Sequence, residues 1–200
     1  MVKKGETVPF FSDLFKEMHT VEVARGLLGH YLCHQTPAGL VSGIIVETEA
    51  YLSRGDPACH AASGKTRRNE TMFGPAGMAY VYFIYGNYYC FNVVTRPIGT
   101  GEAVLIRAVE PTSGLNIMKQ NRGPKYEQLN LANGPGKLCI AFGIDKKYDG
   151  HDLNCKPLYL DENSQRGELE ITAATRIGIS VGIEKMYRFY ISGSQYVSRR

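Results

Sequence analysis

Between Leu40 and Tyr51 the chain reads as one long strand, apolar at its start and closing on Glu47-Thr48-Glu49-Ala50-Tyr51. A period of two sets Glu47, Glu49 and Tyr51 on one face and Val46, Thr48 and Ala50 on the other. The two carboxylates then lie about 6.6 Å apart, and on a shielded face their repulsion would raise the pKa of one of them. The plainer expectation is a solvated strand end. A second run, Tyr80 to Asn92, carries β-branched and aromatic residues on both sides of Gly86-Asn87, a pair that favours a two-residue hairpin turn. Tyr80, Tyr82 and Ile84 share one face of its first strand, and Val81, Phe83 and Tyr85 the other. Tyr85, next to the turn, is poorly placed to reach a core. This run holds five tyrosines in thirteen positions, more hydroxyls than a small core can readily satisfy. Taken alone, an aromatic hairpin is still more often core than site.

Helical spacing of apolar residues predicts a short helix at Ser12–Phe15 and another from Thr20 through Leu28, with Thr20 as its cap. Thr112–Gln120 and Leu138–Phe142 read as further short helices. Tyr31–Gln35, Ala103–Val109, Leu158–Leu160, the segment around Ile171 and Tyr187–Ile191 read as strands, and Thr175–Ile179 as a strand or a tight approach of the backbone. Ser53–Gly77 is poor in apolar residues and rich in Gly, Pro and charge, which predicts an extended surface loop of a length that is commonly functional. The Ala103–Val109 strand is apolar on both faces except for Arg107. A buried arginine must be paired, and the acids within reach are Glu47 and Glu49; such a pair is either a structural clamp or a catalytic constellation.

Composition narrows the function classes. Two hundred residues with no repeat and no composition shift fit one α+β domain, an antiparallel sheet with peripheral helices. No apolar run is long enough to span a bilayer, and Met1-Val2-Lys3-Lys4 leads into polar residues, so a cytoplasmic or nuclear location is expected. Five scattered cysteines without a CxxC pair argue against a disulfide framework and a structural zinc. The net charge of +4 permits a polyanionic partner without demonstrating one. Ser63-Gly64-Lys65-Thr66 fails as a phosphate loop because the upstream glycine position is Cys59. The basic cluster Lys65, Arg67 and Arg68 fits either a solvated loop or contacts to a phosphate backbone. Gly134-Pro135-Gly136-Lys137 at a helix start is a weak phosphate-binding signal.

Several of these segments together resemble the alkyladenine (3-methyladenine) DNA glycosylase family: Ile45 to Leu52, His60, Arg68-Asn69, Met72-Phe73, Tyr80 to Gly86, Asn92, Leu105 to Pro111, Gly134 to Cys139 and Arg188 to Ile191. The likeness runs from Ala24 almost to the end, with residues 1–23 and Asn121–Leu131 aligning loosely. It implies a compact domain with a curved antiparallel sheet and a protruding, DNA-intercalating β-hairpin. The implied partner is double-stranded DNA carrying damaged purines (3-methyladenine, 7-methylguanine, hypoxanthine or ethenoadenine), bound by a monomer. The implied reaction is simple hydrolysis, with water as nucleophile and no metal or organic cofactor. On the same basis Glu49 matches the acid that activates the water, Arg107 helps hold that water, and the backbone near Ile179 completes its site. Tyr51 and Tyr82 match the aromatics that stack on the flipped base, His60 its edge contact, Asn92 the residue that disfavours guanine and Tyr85 the wedge; Arg68 and Lys137 are expected against the DNA. The competing readings are a non-catalytic nucleic-acid-binding module stacking bases on the hairpin, and a small-molecule hydrolase that shares the carboxylate pair. A zinc base deaminase is a third, but its H-x-E and CxxC set is missing.

Overall fold

The computed structural model describes residues 18–162 and 167–199. Eight strands form one curled antiparallel sheet: β1 (Tyr31–Thr36), β2 (Gly39–Tyr51), β3 (Ala79–Ile84), β4 (Tyr88–Val94), β5 (Ala103–Ser113), β6 (Leu158–Asp161), β7 (Ile171–Ala174) and β8 (Arg188–Ile191). The main path runs β3-β4-β5-β2-β1-β6, and β8 joins β2 to β7. β2 is the hub. Its first half pairs with β1 from Gly39 to Ile44, its last part with β8 at Glu47, Thr48 and Glu49, and its other edge with β5. The carboxylate end of β2 is therefore flanked by strands on both sides, and Glu47 and Glu49 are fully buried. This overturns the solvated strand end: partner strands from residues 105 and 188 onward close over a segment whose local sequence looks polar.

Three helices complete the α+β fold among the described residues: α1 (Thr20–Gly26), α2 (Leu115–Arg122) and α3 (Pro135–Phe142). Val23 and Ala24 of α1, Met118 of α2, and Leu138, Ala141 and Phe142 of α3 enter the same core as Phe91, Ile106 and Phe189 of the sheet. Full burial of the Val, Leu, Met and Phe side chains among them is worth about 1.5–3 kcal/mol each, which is why short helices of modest propensity hold here. Thr20 is not the cap of α1. His19 precedes the helix and donates its N–H to Glu22 Oε2 (2.8 Å), whereas the Thr20 hydroxyl is committed across the fold to Thr95 (2.9 Å) and Glu102. The expected helix at Ser12–Phe15 lies outside the described residues.

Two more expectations change. β3 and β4 pair as expected, but Ile84 faces Tyr88, so the connection is the three residues Tyr85-Gly86-Asn87 rather than Gly86-Asn87 alone. Tyr85 (φ 54°) and Gly86 (φ 73°) both take left-handed backbone, which is uncommon for a tyrosine and leaves its side chain 77% exposed. Nor is Ser53–Gly77 simply a surface loop. Asp56, Cys59, Ala61, Asn69 and Met72 are buried, and Cys59, Ala61 and Met72 form a second small core with Tyr80, Val94 and Ala103. The Asn69 side chain substitutes for missing ladders by bonding the His60 and Gly64 carbonyls (2.8 and 3.0 Å) and the Thr66 amide (2.6 Å). Gly101 is required where this loop docks, since a Cβ there would stand 2.6 Å from that of Ala61.

Candidate active site

The pairing of β2 with β5 slips at one place. Ile45 faces Val109, Glu47 faces Ala108 and Thr48 faces Ile106, so Arg107 falls at the irregularity. Such irregularities re-aim side chains, and here they bring a guanidinium between two carboxylates. Arg107 Nη1 lies 3.3 Å from Glu49 Oε2 and its Nε 3.5 Å from Glu47 Oε1. Glu49 has two further partners: the Tyr51 hydroxyl donates to Oε2 (2.8 Å) and the Ile177 amide to Oε1 (2.8 Å). A carboxylate offers about four acceptor sites, so Oε1 keeps room for one more donor. Burial raises the Glu49 pKa above the ordinary carboxylate range, opposed by Arg107, the Ile177 amide and the Tyr51 hydroxyl, with Glu47 adding to the rise. Repulsion between the carboxylates is thus the smaller cause, and desolvation the larger.

Beside this carboxylate lies a cavity of about 260 Å³, near the lower end of the ~300–1,000 Å³ typical of small-molecule sites and suited to one flat ring system. Tyr51 from β2, Tyr80, Tyr82 and Ile84 from one face of β3, Asn92 from β4, His60, and Gly178 to Val181 all line it. The face of β3 assigned from period two is thus the one that builds the cavity. The rings brace one another: His60 packs edge-on against Tyr82 (4.6 Å between centroids) and its Nδ1 meets the Tyr80 hydroxyl at 3.0 Å. Burial and the nearby Arg68 lower the His60 pKa, so the imidazole is neutral at pH 7 and can donate at one nitrogen and accept at the other. The Asn92 amide nitrogen donates to the Tyr80 carbonyl (3.0 Å), which fixes the side chain in the wall.

Tyr51, His60, Tyr82, Asn92 and Ile179 thus line one cavity. Glu49 and Arg107 are not among its lining residues; they sit behind Tyr51, whose hydroxyl bonds Glu49. The backbone group that touches Glu49 is that of Ile177, two residues before Ile179, whose own place is in the cavity wall. Tyr85 stands at the exposed turn above. Arg68 lies in a second concavity with Arg67, Tyr82, Phe83, Tyr89 and Lys146, where it donates to the Phe83 carbonyl (3.4 Å). Lys137 lines neither cavity and bonds Asn133 Oδ1 at 2.8 Å.

Local patterning missed two sets of residues. Asp56 and Arg176 form a doubly bonded ion pair with both side chains fully buried (Nη1 to Oδ2 2.7 Å), and Arg176 also holds the Ala50 carbonyl (3.0 Å) and stacks 4.6 Å over the Tyr51 ring. This pair joins the two segments that wall the cavity, Pro57–His60 and Gly178–Val181. The other set is Arg188 and Ser198, both bonded to Glu47. Only Asp56, at the start of an Asp-Pro turn, left a local trace.

The arrangement defines a site that can grip a planar ring between aromatic walls and accept a proton next to it. Comparison with known proteins gives this class a family. The methylpurine-DNA glycosylase family model matches residues 13–195. A protein of Carboxydothermus hydrogenoformans, provisionally named a 3-methyladenine DNA glycosylase, is 52% identical over 179 residues, covering 89% of this chain and 93% of its own. One from Methanoculleus marisnigri with the same provisional name is 50% identical over 189 residues, covering 93% and 97%. The chain belongs to the methylpurine-DNA glycosylase family, which serves DNA repair.

Proposed function

We propose that this protein is a monofunctional DNA glycosylase that draws a damaged purine out of duplex DNA into the tyrosine-walled cavity and hydrolyses its N-glycosidic bond. The observation that carries this reading is the Glu49 carboxylate, buried beside a base-sized cavity and held by Arg107, Tyr51 and Ile177 with an acceptor site to spare. A base inside the stack cannot reach such a site, so extrusion precedes chemistry. Tyr51 and Tyr82 stack on the flipped ring, His60 meets its edge, and Asn92 crowds the exocyclic amine that distinguishes guanine. Stacking makes few demands on hydrogen-bond pattern, which suits a range including 3-methyladenine, 7-methylguanine, hypoxanthine and ethenoadenine.

In the reaction a water donates a proton to Glu49 while its oxygen bonds to C1′ of the sugar. The C1′–N bond breaks and its electron pair leaves with the purine. Arg107 and the Ile177–Ile179 backbone hold the water. The carboxylate charge also favours the positive charge that develops on the sugar. An alkylated purine departs neutral, whereas hypoxanthine needs a proton or hydrogen bond on leaving. No lysine lines the cavity among the described residues, so there is no amine poised for a Schiff base and strand cleavage. The protein works as a monomer in the compartment that holds the DNA, with Arg68 and Lys137 against the phosphate backbone. No helix among the described residues is long and apolar enough to cross a membrane.

Single-turnover release of hypoxanthine or an alkylated purine from duplex oligonucleotides tests this reading; no abasic product from any lesion leaves a DNA-binding module as the better account. The pH profile has a defined sign. Glu49 works only when ionised and burial raises its pKa, so the rate falls with decreasing pH along a limb lying above the ordinary carboxylate range. A limb at the ordinary glutamate value assigns the proton transfer elsewhere. Tyr85, at 77% exposure, gains nothing for the free fold and props the duplex open as the wedge. Stacking on an aromatic is worth about 1–3 kcal/mol, so Tyr85→Ala slows excision from duplex about tenfold to a hundredfold, with a smaller loss on single strands. Equal losses on both would assign Tyr85 to the pocket instead.

A further inference from the structure

The Arg107 guanidinium closes no two-pronged bond with either carboxylate. It stands 3.3 Å from Glu49 and 3.5 Å from Glu47, and its buried Nε has no hydrogen-bond partner among the described residues. Glu47, by contrast, is tightly held on both oxygens. Arg188 Nη1 donates to Oε1 (2.9 Å), and the backbone N–H of Ser198, in the C-terminal tail, donates to Oε2 (2.7 Å). The tail is fastened in turn: Arg188 Nη1 also donates to the Arg199 carbonyl (3.0 Å), Arg107 Nη2 to Ser198 Oγ (3.3 Å), and Val197 is buried. Two carboxylates and two guanidiniums form a cluster of zero net charge with no side chain more than 8% exposed.

We propose that Glu47 and the Ser198 amide are positioning groups for the glycosylase reaction, because together they decide how Arg107 is shared between Glu47 and the catalytic Glu49. The inference rests on Glu49 being the base. Glu47 competes with Glu49 for one cation. While the Ser198 amide and Arg188 satisfy Glu47, its demand on Arg107 is weak and Arg107 leans toward Glu49. Without the amide, Glu47 Oε2 is a buried acceptor with no partner among the described residues, and Arg107 is the donor best placed to move to it. Glu49 then loses part of the cation it is paired with, and its proton is held more tightly. Arg107 already opposes the rise in the Glu49 pKa and Glu47 adds to it, as this competition requires.

The other groups around Glu49 do not supply the same effect. Tyr51 on β2 and the Ile177 amide bond it directly, and Cys90 on β4 is a neutral thiol whose pKa burial raises. Arg176 is committed to Asp56, and Arg188, opposite Glu49 in the ladder, is committed to Glu47.

The experiment is single-turnover excision of an alkylated purine against pH for wild type, Ser198→Ala, Ser198→Pro and Glu47→Gln, with folded fraction and DNA affinity measured in parallel. Ser198→Ala removes the hydroxyl and keeps the amide; Ser198→Pro removes both. With Ser198→Pro the acid limb moves up by about one pH unit relative to Ser198→Ala, and with Glu47→Gln it moves down by a similar amount. General structural damage lowers the amplitude and cannot move the limb in opposite directions. Superimposable limbs for all four proteins, or shifts of the same sign, overturn the proposal. Persistence of excision in Glu49→Gln would instead sink the assignment of the base, which separates that failure from this one.

Discussion

Glu49→Gln lowers the single-turnover rate of purine excision by about a thousandfold while lesion DNA still binds. The estimate follows from the typical 10²–10⁴-fold value of a positioned general base, together with loss of an anion facing a cationic transition state. The amide keeps the volume of the carboxyl and can still accept from Tyr51 or Ile177, so the cavity wall keeps its shape. The same substitution reports on stability, with a sign opposite to that of most core mutations. Burial raises the Glu49 pKa, so the folded state binds a proton more tightly than the unfolded chain. Stability from this group is present below its unfolded pKa and is lost as pH rises through the folded pKa. At pH 7 the ionised carboxylate therefore weighs against the fold, and Glu49→Gln keeps or raises the thermal midpoint. An inactive variant with a lowered midpoint would indicate that the carboxylate is a structural clamp rather than a base. Equal product from wild type and variant would remove Glu49 from the chemistry.

The same carboxylate shows what the sequence could convey. Period two along β2 placed Glu47, Glu49 and Tyr51 on one face, and an arginine in an apolar strand required a buried acid, so the cluster was legible before any coordinates. Its shielding was not. The strand end looks polar on its own, and β8 and β5, arriving from distant parts of the chain, bury it. Period two also grouped Tyr80, Tyr82 and Ile84 on one face of β3, and that face lines the cavity. It could not count the residues of the turn, because a tyrosine in left-handed backbone goes against local preference. Ser53–Gly77 was misjudged for a related reason. Its few apolar residues have no periodicity, and a side-chain amide, Asn69, replaces the ladder hydrogen bonds that a pattern would reveal. The hardest features were pairs of far-separated polar groups: Asp56 with Arg176, 120 residues apart, and Glu47 with Ser198, 151 apart. Neither spacing carries information, since each pairing is set by how the sheet curls. The family resemblance supplied what periodicity could not, by naming roles for Tyr82, Asn92 and Tyr85. It named no role for the Asp56–Arg176 pair, which holds the cavity walls together.

Breaking that pair gives the largest expected loss of stability. Both side chains are fully buried, so Asp56→Asn leaves the Arg176 charge without its paired carboxylate, held by one amide oxygen and the Ala50 carbonyl beside the rings of Tyr51 and Tyr187. Removing one partner of such a pair costs about 3–5 kcal/mol. In a domain of this size each kcal/mol is worth roughly 2–4 °C, so the midpoint falls by about 10 °C. Asp56→Leu combined with Arg176→Leu removes the stranded charge as well as the attraction, and it recovers much of the loss. Activity should not recover with it. Asp56 Oδ2 also accepts the Leu52 amide (3.1 Å), and Arg176 braces the ring of Tyr51, whose hydroxyl holds Glu49. Two leucines can fill the space but cannot bond Leu52 and Ala50, so the two walls are free to drift apart. The double variant is expected to unfold near the wild-type temperature and to excise purines at least tenfold more slowly, since small displacements of a positioned group are costly to catalysis. Thermal unfolding and single-turnover rates measured on the same samples check both halves. Full recovery of rate together with stability would mean that the pair is only a packing element; a double variant as unstable as Asp56→Asn would mean that its hydrogen bonds, not its charges, hold the walls.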